Sequence, residues 1–274
     1  MKKISANDLR DYQTCALLHG YRSGAVETTV KESPDIRDRR AKRYDETIRR
    51  VAAFFFYKKQ SYSEPSYQAL QNRWQKLWFA EGTQASDIAV MRNEVAWAND
   101  VSYTSQAAAA LLAFYEDFAD KPDQEVILID EQFHVPLGKE ISLEGSFDII
   151  LRHKKENGFY RYDIYKWVTS NFKRSPAFWV FDLAMLDYAF KYRNDFMVND
   201  THFHLWNFGS YMPGDKEVMI EKKDIDLLKY WSQEVFNEEI YAPRRGLTSF
   251  CKSCPYDMPC SKWQVPVLIG EKKK

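Results

Sequence analysis

The pattern of hydrophobic and polar positions differs between the two halves of this chain. The first half predicts helices at about 36 to 59, 65 to 81 and 104 to 119. Ser5 precedes "ANDLRDYQTCALL", which predicts a short N-capped helix that carries Cys15. The N-terminal half is therefore expected to be almost entirely helical.

The second half mixes strands and helices. Three β-like runs, "VILIDEQFHVPL", "ISLEGSFDIILRH" and "FYRYDIYKWVTS", come first, and the turn-like "KKENG" separates the last two. Such a short connection forces antiparallel pairing, because parallel strands need a long crossover. A helix at about 176 to 193, strands near 202 to 209 and 216 to 221, and a helix in "DIDLLKYWSQEVFNEEIY" complete the pattern. The sequence thus predicts an α/β fold with a central mixed sheet.

Two of these strands place polar groups where a sheet normally buries apolar ones. In "LEGSFDIIL" the two-residue period puts Asp148 on one face, and in "YRYDIYKWV" it puts Lys166 on one face and Asp163 on the other. An acid within a hydrophobic strand is costly unless it is paired or binds a metal. Asp148 and Lys166 are expected to meet, either as a buried ion pair without chemistry or as part of a functional site.

Composition narrows the class of protein. The 274 residues are 45% hydrophobic and 16% aromatic, with 39 basic and 39 acidic side chains. No run is long enough for a membrane span, and the first residues lack a signal peptide's apolar core, so a cytoplasmic location is expected. We find no repeat and no linker, which predicts one domain over 1–274: a helical insertion at about 35–120, a core sheet and helix at about 125–222, and a C-terminal helix and cysteine cluster at about 223–263.

Local charge and cysteines add candidate chemistry. "DIRDRRAKRYDETIRR" is strongly basic, which fits a solvated helical face or a phosphate-contacting one.

Cysteines occur at four positions: Cys15, Cys251, Cys254 and Cys260. In a reducing compartment clustered cysteines indicate metal ligands rather than disulfides, and four thiolates suit an iron–sulfur cluster or zinc.

The order of these motifs resembles that of a known family. A helix with "YxxC", a "GxxD" strand, a strand ending in lysine, a helix and a terminal "CxxCxxxxxC" are similar to the RecB-like branch of the PD-(D/E)XK nucleases, as in the CRISPR-associated RecB-like exonucleases and the AddB nuclease domain. The resemblance implies a restriction-endonuclease-like sheet. It also implies a [4Fe–4S] cluster on Cys15, Cys251, Cys254 and Cys260 that joins the two ends of the domain.

The resemblance also implies residue roles. Asp148 matches the acid that binds Mg²⁺ or Mn²⁺, and Lys166 matches the lysine that orients the attacking water. The position two before the lysine should be acidic but is Ile164. Asp163, brought round by a β-bulge, or Asp182 of the next helix could replace the missing acid. The family's histidine on an early helix has no counterpart in the helices between 35 and 119.

Three functions follow from the resemblance and its departures. The first is a nuclease-fold protein of DNA metabolism that is weak or inactive as a nuclease and acts as a nucleic-acid-binding or assembly module. The second is an active Mg²⁺- or Mn²⁺-dependent DNA exonuclease with a rearranged carboxylate site. The third is a zinc-stabilised module that binds other proteins, because aromatic residues are enriched at interfaces. DNA is the expected partner, a protein partner is an open alternative, and no membrane partner is expected.

Overall fold

The computed structural model describes residues 1–27, 36–79, 96–169, 176–194, 200–209, 213–239, 241–243, 251, 254–256 and 260. Its elements are, in chain order, β1 (Lys2–Ile4), α1 (Ala6–Thr14), α2 (Ala16–Ser23), α3 (Ile36–Gln60), α4 (Tyr67–Phe79), α5 (Ala96–Phe118), β2 (Gln124–Pro136), β3 (Ile141–Lys154), β4 (Tyr160–Val168), a 3₁₀ helix (Pro176–Trp179), α6 (Val180–Arg193), β5 (Thr201–Asn207), β6 (Gly214–Val218) and α7 (Lys222–Asn237). The protein is mixed α/β, with a mixed sheet and flanking helices. No helix in these ranges is long and apolar enough to cross a membrane.

The chain divides into two compact units. Unit 1 comprises Met1–Ser33, His134–Gly145 and Lys222–Lys274, and unit 2 comprises Pro34–Phe133 and Ser146–Glu221. The boundaries of the single domain expected from the sequence stay a prediction.

Unit 2 contains most of the mixed sheet. Its strands lie in the order β3, β4, β5, β6, and β2 also pairs with β3. The β3–β4 and β5–β6 pairs are antiparallel, whereas β4 and β5 are parallel and are connected through α6. The antiparallel hairpin predicted from "KKENG" is therefore confirmed, and so is the helix that follows it.

An aromatic core fills one side of this sheet. Residues of α3, α4 and α5 pack there against Ile149, Leu151, Tyr165, Trp167 and Trp206 of the strands. On the other side, Phe190 of α6 lies 5.2 Å from Tyr162, measured between ring centroids. Tyr162 and Tyr165 lie on opposite faces of β4, so helices cover the two faces of the sheet in unit 2.

Unit 1 gathers short elements that are distant in sequence. β1 pairs in parallel with Ile141–Leu143 of β3. Ser5 caps the start of α1, as the sequence predicted, and Asp8 completes a capping box that was not predicted. Lys2 Nζ donates to the carbonyl of Val235 in α7 at 2.8 Å, and Tyr12 of α1 bonds Glu238.

Some predicted element bounds were wrong. Helix α1 ends at Thr14, so Cys15 lies in extended backbone between α1 and α2 instead of within one helix. The helix predicted from 176 begins with a 3₁₀ segment, and α7 ends at Asn237, before the end of the predicted stretch. The strand expected at 216 to 221 is observed at Gly214–Val218. Residues 80 and 81 of the second predicted helix lie outside the described residues.

Candidate functional site

The β3–β4 hairpin brings Asp148 and Lys166 together. Their ladder runs from Lys154↔Tyr160 to Ile149↔Tyr165, and Asp148 and Lys166 follow directly after its last pair. Lys166 Nζ lies 3.6 Å from Asp148 Oδ2, and the side chains are 16% and 4% exposed. The expected meeting of these two residues is therefore present as a largely buried ion pair.

Asp148 also marks a break in the regular strand. Phe147 and Ile149 would share a face of a regular strand, yet Phe147 lies near Phe190 of α6 while Ile149 belongs to the core beside α3–α5. At this break the Asp148 carboxylate, Oδ2, accepts a hydrogen bond from the backbone N–H of Trp167 at 2.8 Å. The carboxylate thus takes the place of a backbone carbonyl at the end of the β3–β4 ladder.

The third contact of Asp148 comes from helix α3. Arg49 Nη1 donates to Asp148 Oδ1 at 2.5 Å, and Arg49 Nη2 donates to the carbonyl of Trp167 at 2.8 Å. Arg49 Nε donates to Asp45 Oδ2 at 2.9 Å, and Thr169 Oγ1 donates to Asp45 Oδ1 at 2.7 Å. One guanidinium therefore bridges two carboxylates and the end of β4.

The neighbouring carboxylates of Asp148 and Asp45 keep the guanidinium of Arg49 protonated. Burial by itself lowers the pKa of the guanidinium, but the carboxylates of Asp148 and Asp45 outweigh burial and hold that pKa above its usual value. Arg49 is thus a permanent cation held against Asp148. We call Arg49, Asp45, Asp148 and Lys166 the arginine–carboxylate site.

The donor set of this site does not fit a divalent metal. Mg²⁺ needs free carboxylate oxygens, and both oxygens of Asp148 already accept from or face protein donors. Ile164, two residues before Lys166, is fully buried and its side chain offers no oxygen. No step through a metal can be derived from these side chains in this arrangement.

Asp163 lies in a separate polar cluster. Arg161 Nε donates to its Oδ1 at 2.7 Å, His153 Nε2 lies 2.8 Å from its Oδ2, and His204 Nε2 lies 3.5 Å from its Oδ1. His204 Nδ1 lies 2.7 Å from Asp215 Oδ2 on β6. Asp163 therefore lies among an arginine and two histidines on the face of β4 opposite Lys166.

The ionisation of this cluster follows from its contacts. Burial alone would raise the pKa of Asp163, but His153, His204 and Arg161 outweigh burial and hold that pKa well below its usual range. Burial lowers the pKa of His204, yet Asp163 and Asp215 together raise it to about 9. At neutral pH His204 is therefore an imidazolium that lies between the carboxylates of Asp163 and Asp215.

One predicted site residue, Asp182, and two that were not predicted from the sequence remain to be described. Asp182 lies half-buried in the first turn of α6. Arg49 and Asp45 were not singled out from the sequence, although their spacing of four residues within the basic helix is a typical ion-pair signal. Helix α3 thus contributes an arginine and an acid to the site around Asp148.

The four cysteines belong to unit 1. All four are described, each is half-buried, and none is in a disulfide. Cys15, Cys254 and Cys260 pack against one small apolar cluster of Leu17, Leu18, Tyr21 and Tyr256. Burial raises the pKa of the Tyr21 hydroxyl, and these three cysteines raise it further. The sequence-distant Cys15 and the C-terminal cysteines are therefore neighbours of the same aromatic side chain.

The chemistry of this donor set fits a thiolate-bound metal centre, since four sulfurs are available without competing disulfides. Within the residues that the structure describes, no group of three or more His, Cys, Asp or Glu side chains is arranged to hold a metal ion. The four-cysteine centre stays a prediction.

Comparisons with known proteins do not assign a family. No family model matches the chain, and no curated protein matches it. Among solved structures, "Crystal structure of SSO0001" matches with 11% identity and a TM-score of 0.36, over 96% of this chain and 87% of that one. A likeness of this strength carries no argument about function.

Proposed function

We propose that this chain is a RecB-like PD-(D/E)XK nuclease-fold protein that acts in DNA metabolism, that is weak or inactive as a nuclease, and that serves as a nucleic-acid-binding or assembly module. The observation that carries the proposal is the guanidinium of Arg49 on Asp148. The guanidinium of Arg49, a permanent cation, is bound to the carboxylate that matches the metal-binding acid of the family. The restriction-endonuclease-like topology and the cytoplasmic location are parts of the same proposal.

The energetics support a structural role for the arginine–carboxylate site. Asp148 is 4% exposed and is compensated by a guanidinium, an ammonium and a backbone N–H. These three donors compensate the buried carboxylate, and exchanging the guanidinium for Mg²⁺ would leave Arg49 with only Asp45 and the Trp167 carbonyl as partners. Metal entry is therefore opposed by the loss of the ion pair between Arg49 and Asp148.

Nuclease assays with matched variants test this proposal. Wild type, Asp148→Ala and Arg49→Met would be incubated with single- and double-stranded DNA and with Mg²⁺ or Mn²⁺. We expect no cleavage above background by wild type, and no decrease in Asp148→Ala. Binding of unlabelled DNA by wild type, measured by competition with a fluorescent strand, tests the nucleic-acid-binding part separately.

The second candidate function is an active exonuclease with a rearranged carboxylate site. It is favoured by one observation: Asp45 and Asp148 bond the same guanidinium, so two carboxylates converge on one cation. Displacement of Arg49 by substrate would leave both acids facing one position. Robust wild-type cleavage that Asp148→Ala and Asp45→Ala each abolish would establish this function and refute the first.

We also propose that Cys15, Cys251, Cys254 and Cys260 hold a [4Fe–4S] cluster, with zinc as the alternative. The shared packing of three of these cysteines supports a common centre. A bound centre would supply folding free energy to unit 1, because its ligands come from opposite ends of the chain. Anaerobic purification followed by iron, sulfide and zinc analysis separates the two forms, and stable protein without metal would refute both.

A further inference from the structure

Helix α3 presents two different faces. Val51, Ala52, Phe55 and Phe56 are buried in the aromatic core of unit 2. A second set of α3 residues, between and beside these in sequence, recurs at spacings of three and four and so forms one stripe on the other side of the helix. The stripe consists of Arg50, Ala53, Phe54, Tyr57 and Lys58 of α3 and of Ser61, the residue that follows the helix.

The stripe forms one wall of a pocket within unit 2. Arg73 of α4 and Asp130 of β2 complete the lining, and the pocket has a volume of about 440 Å³. This volume lies in the usual range for small-molecule sites, about 300 to 1,000 Å³. The pocket is therefore far larger than a single inorganic anion requires.

The lining is positively charged. Arg50, Lys58 and Arg73 contribute three cations, against the single carboxylate of Asp130. Lining groups of one sign raise the local concentration of ligands of the other sign. The pocket is suited to an anion with more than one negative charge.

Arg73 provides the most specific observation. Its guanidinium carbon lies over the Phe54 ring, 5.7 Å from the ring centre, which is a cation–π contact. Its Nε is buried and has no hydrogen-bond partner in the described part of the chain. A buried cationic donor without a partner is costly, and a shift of the Arg73 side chain towards a ligand oxygen in the pocket would satisfy it.

The pocket also offers an aromatic surface. Tyr57 is 52% exposed although it is adjacent to the core, and Phe54 lies beside it on the same stripe. Exposed rings stack on planar heterocycles, and this stacking is tolerant of base identity. The pocket therefore offers partners both for an anionic group and for a planar ring.

We propose that this pocket binds a nucleoside phosphate, with the phosphate on Arg73 and Lys58 and the base stacked on Tyr57. The shared chemistry is that of a free nucleotide or of one nucleotide unit in a single strand. The inference does not depend on metal binding at Asp148 or on the cysteine centre. It goes beyond the proposed function because it assigns a ligand to the pocket stripe of α3, in which Arg50, Tyr57 and Lys58 are exposed while Phe54 is half-buried.

Isothermal titration of the full chain with four probes tests the ligand. The probes are adenosine monophosphate, adenosine, inorganic phosphate and a deoxythymidine 12-mer without terminal phosphates. We expect the monophosphate to bind at least tenfold more tightly than adenosine or inorganic phosphate, since only the monophosphate engages both the cations and the ring. Tighter binding of the 12-mer would identify a strand as the source, and tighter binding of the monophosphate would identify a free nucleotide.

Four variants locate the site. Lys58→Ala and Tyr57→Ala should each weaken the tighter of these two ligands about tenfold. Lys42→Ala and Tyr62→Ala serve as matched controls, because both side chains are strongly exposed and lie outside the pocket lining. Both pocket residues are on the surface of α3, so their variants are expected to fold.

Three results would overturn the inference. They are equal binding of inorganic phosphate and monophosphate, no binding of any nucleotide or strand, and undiminished binding by Lys58→Ala and Tyr57→Ala. Strand binding by wild type that these two variants retain would leave the proposed function standing while refuting this pocket. Absence of strand binding together with monophosphate binding would refute the nucleic-acid part of the proposed function and support the pocket.

Discussion

At the residue scale, Asp148 is a buried carboxylate whose contacts come from helix α3 and strand β4. It is 4% exposed, and the guanidinium of Arg49 is its nearest cation. Removing one partner of a buried ion pair leaves an uncompensated charge, which costs far more than a surface ion pair contributes. Arg49 therefore has a structural value that a typical residue of a basic helix lacks.

Arg49→Ala should lower the free energy of unfolding by about 3 kcal/mol, because Asp148 and the Trp167 carbonyl both lose a donor. Urea denaturation followed by tryptophan fluorescence would measure the change. Lys42→Ala on the same helix should change stability by less than about 0.5 kcal/mol, since its ion pair is exposed. Equal effects of the two substitutions would contradict the structural role of Arg49.

His204 should make stability depend on pH in the alkaline range. Its pKa is about 9 in the folded protein, above the usual 6.5, so it binds its proton more tightly when folded. This stabilisation is fully present below about pH 6.5 and is lost as pH rises through 9, at most about 3 kcal/mol in total. Denaturation curves from pH 6 to 9.5 should show the decrease in wild type.

His204→Asn provides the matched control for this prediction. It cannot take up a proton, so the difference in stability between wild type and variant should shrink as pH rises from 6.5 to 9. A constant difference over that range would show that His204 is neutral in the folded protein. Asp163 acts in the opposite direction: its pKa is held low, so its contribution is lost only as pH falls below about 4.

At the scale of elements, α2 depends on a close approach that only glycine allows. A Cβ atom at Gly20 would lie 2.8 Å from Cγ of Tyr241 and 2.8 Å from Cγ2 of Val26. Helix propensity alone would favour alanine by about 1 kcal/mol. The steric contact should outweigh propensity because two side chains have to move.

Gly20→Ala should therefore destabilise the protein by about 1 to 3 kcal/mol. Thermal unfolding measured by circular dichroism would detect the loss as a lower Tm. Ser23→Ala, an exposed substitution later in the same helix, should leave Tm nearly unchanged. An increase of Tm in Gly20→Ala would show that propensity, and not the contact with Tyr241, decides the outcome.

The sequence predicted elements better than it predicted the partners of charged residues. The "KKENG" turn and the two-residue period of β3 and β4 were sufficient for the hairpin and for the meeting of Asp148 with Lys166. Arg49 was missed because its target lies 99 residues further along the chain, and periodicity shows which face a side chain occupies but not what it bonds. The break of alternation at Asp148 was missed for a related reason, since the side chain itself replaces a backbone acceptor.

At the scale of the whole molecule, all four cysteines belong to unit 1. Unit 1 buries apolar residues such as Ile4, Leu9 and Leu143, but three of its cysteines pack against a small cluster around Tyr21 that has four buried residues. The segments around such a small cluster gain most from a metal centre, because metal-binding free energy adds directly to folding free energy. Unit 1 is therefore expected to be the part that depends on the cysteines.

Cys254→Ser should abolish bound iron or zinc and should increase amide hydrogen exchange in α1 and α2 by about tenfold or more. Exchange in α3 and α5 should stay within about twofold of wild type. Hydrogen exchange with mass spectrometry resolves the segments in one experiment. Unchanged exchange in α1 and α2 would contradict a cysteine-bound centre that stabilises unit 1.

Unit 1 is assembled from three separate stretches of chain, so it cannot be completed during translation until the last of them has been synthesised. The two stretches of unit 2 leave the ribosome before Lys222–Lys274 does, so unit 2 can fold while unit 1 still lacks its third stretch. Translation adds about 5 to 20 residues per second, so about ten seconds or more pass between the synthesis of Cys15 and that of the last cysteines. An accessible thiol is open to oxidation throughout that delay, so Cys15 is the cysteine most at risk before assembly is complete.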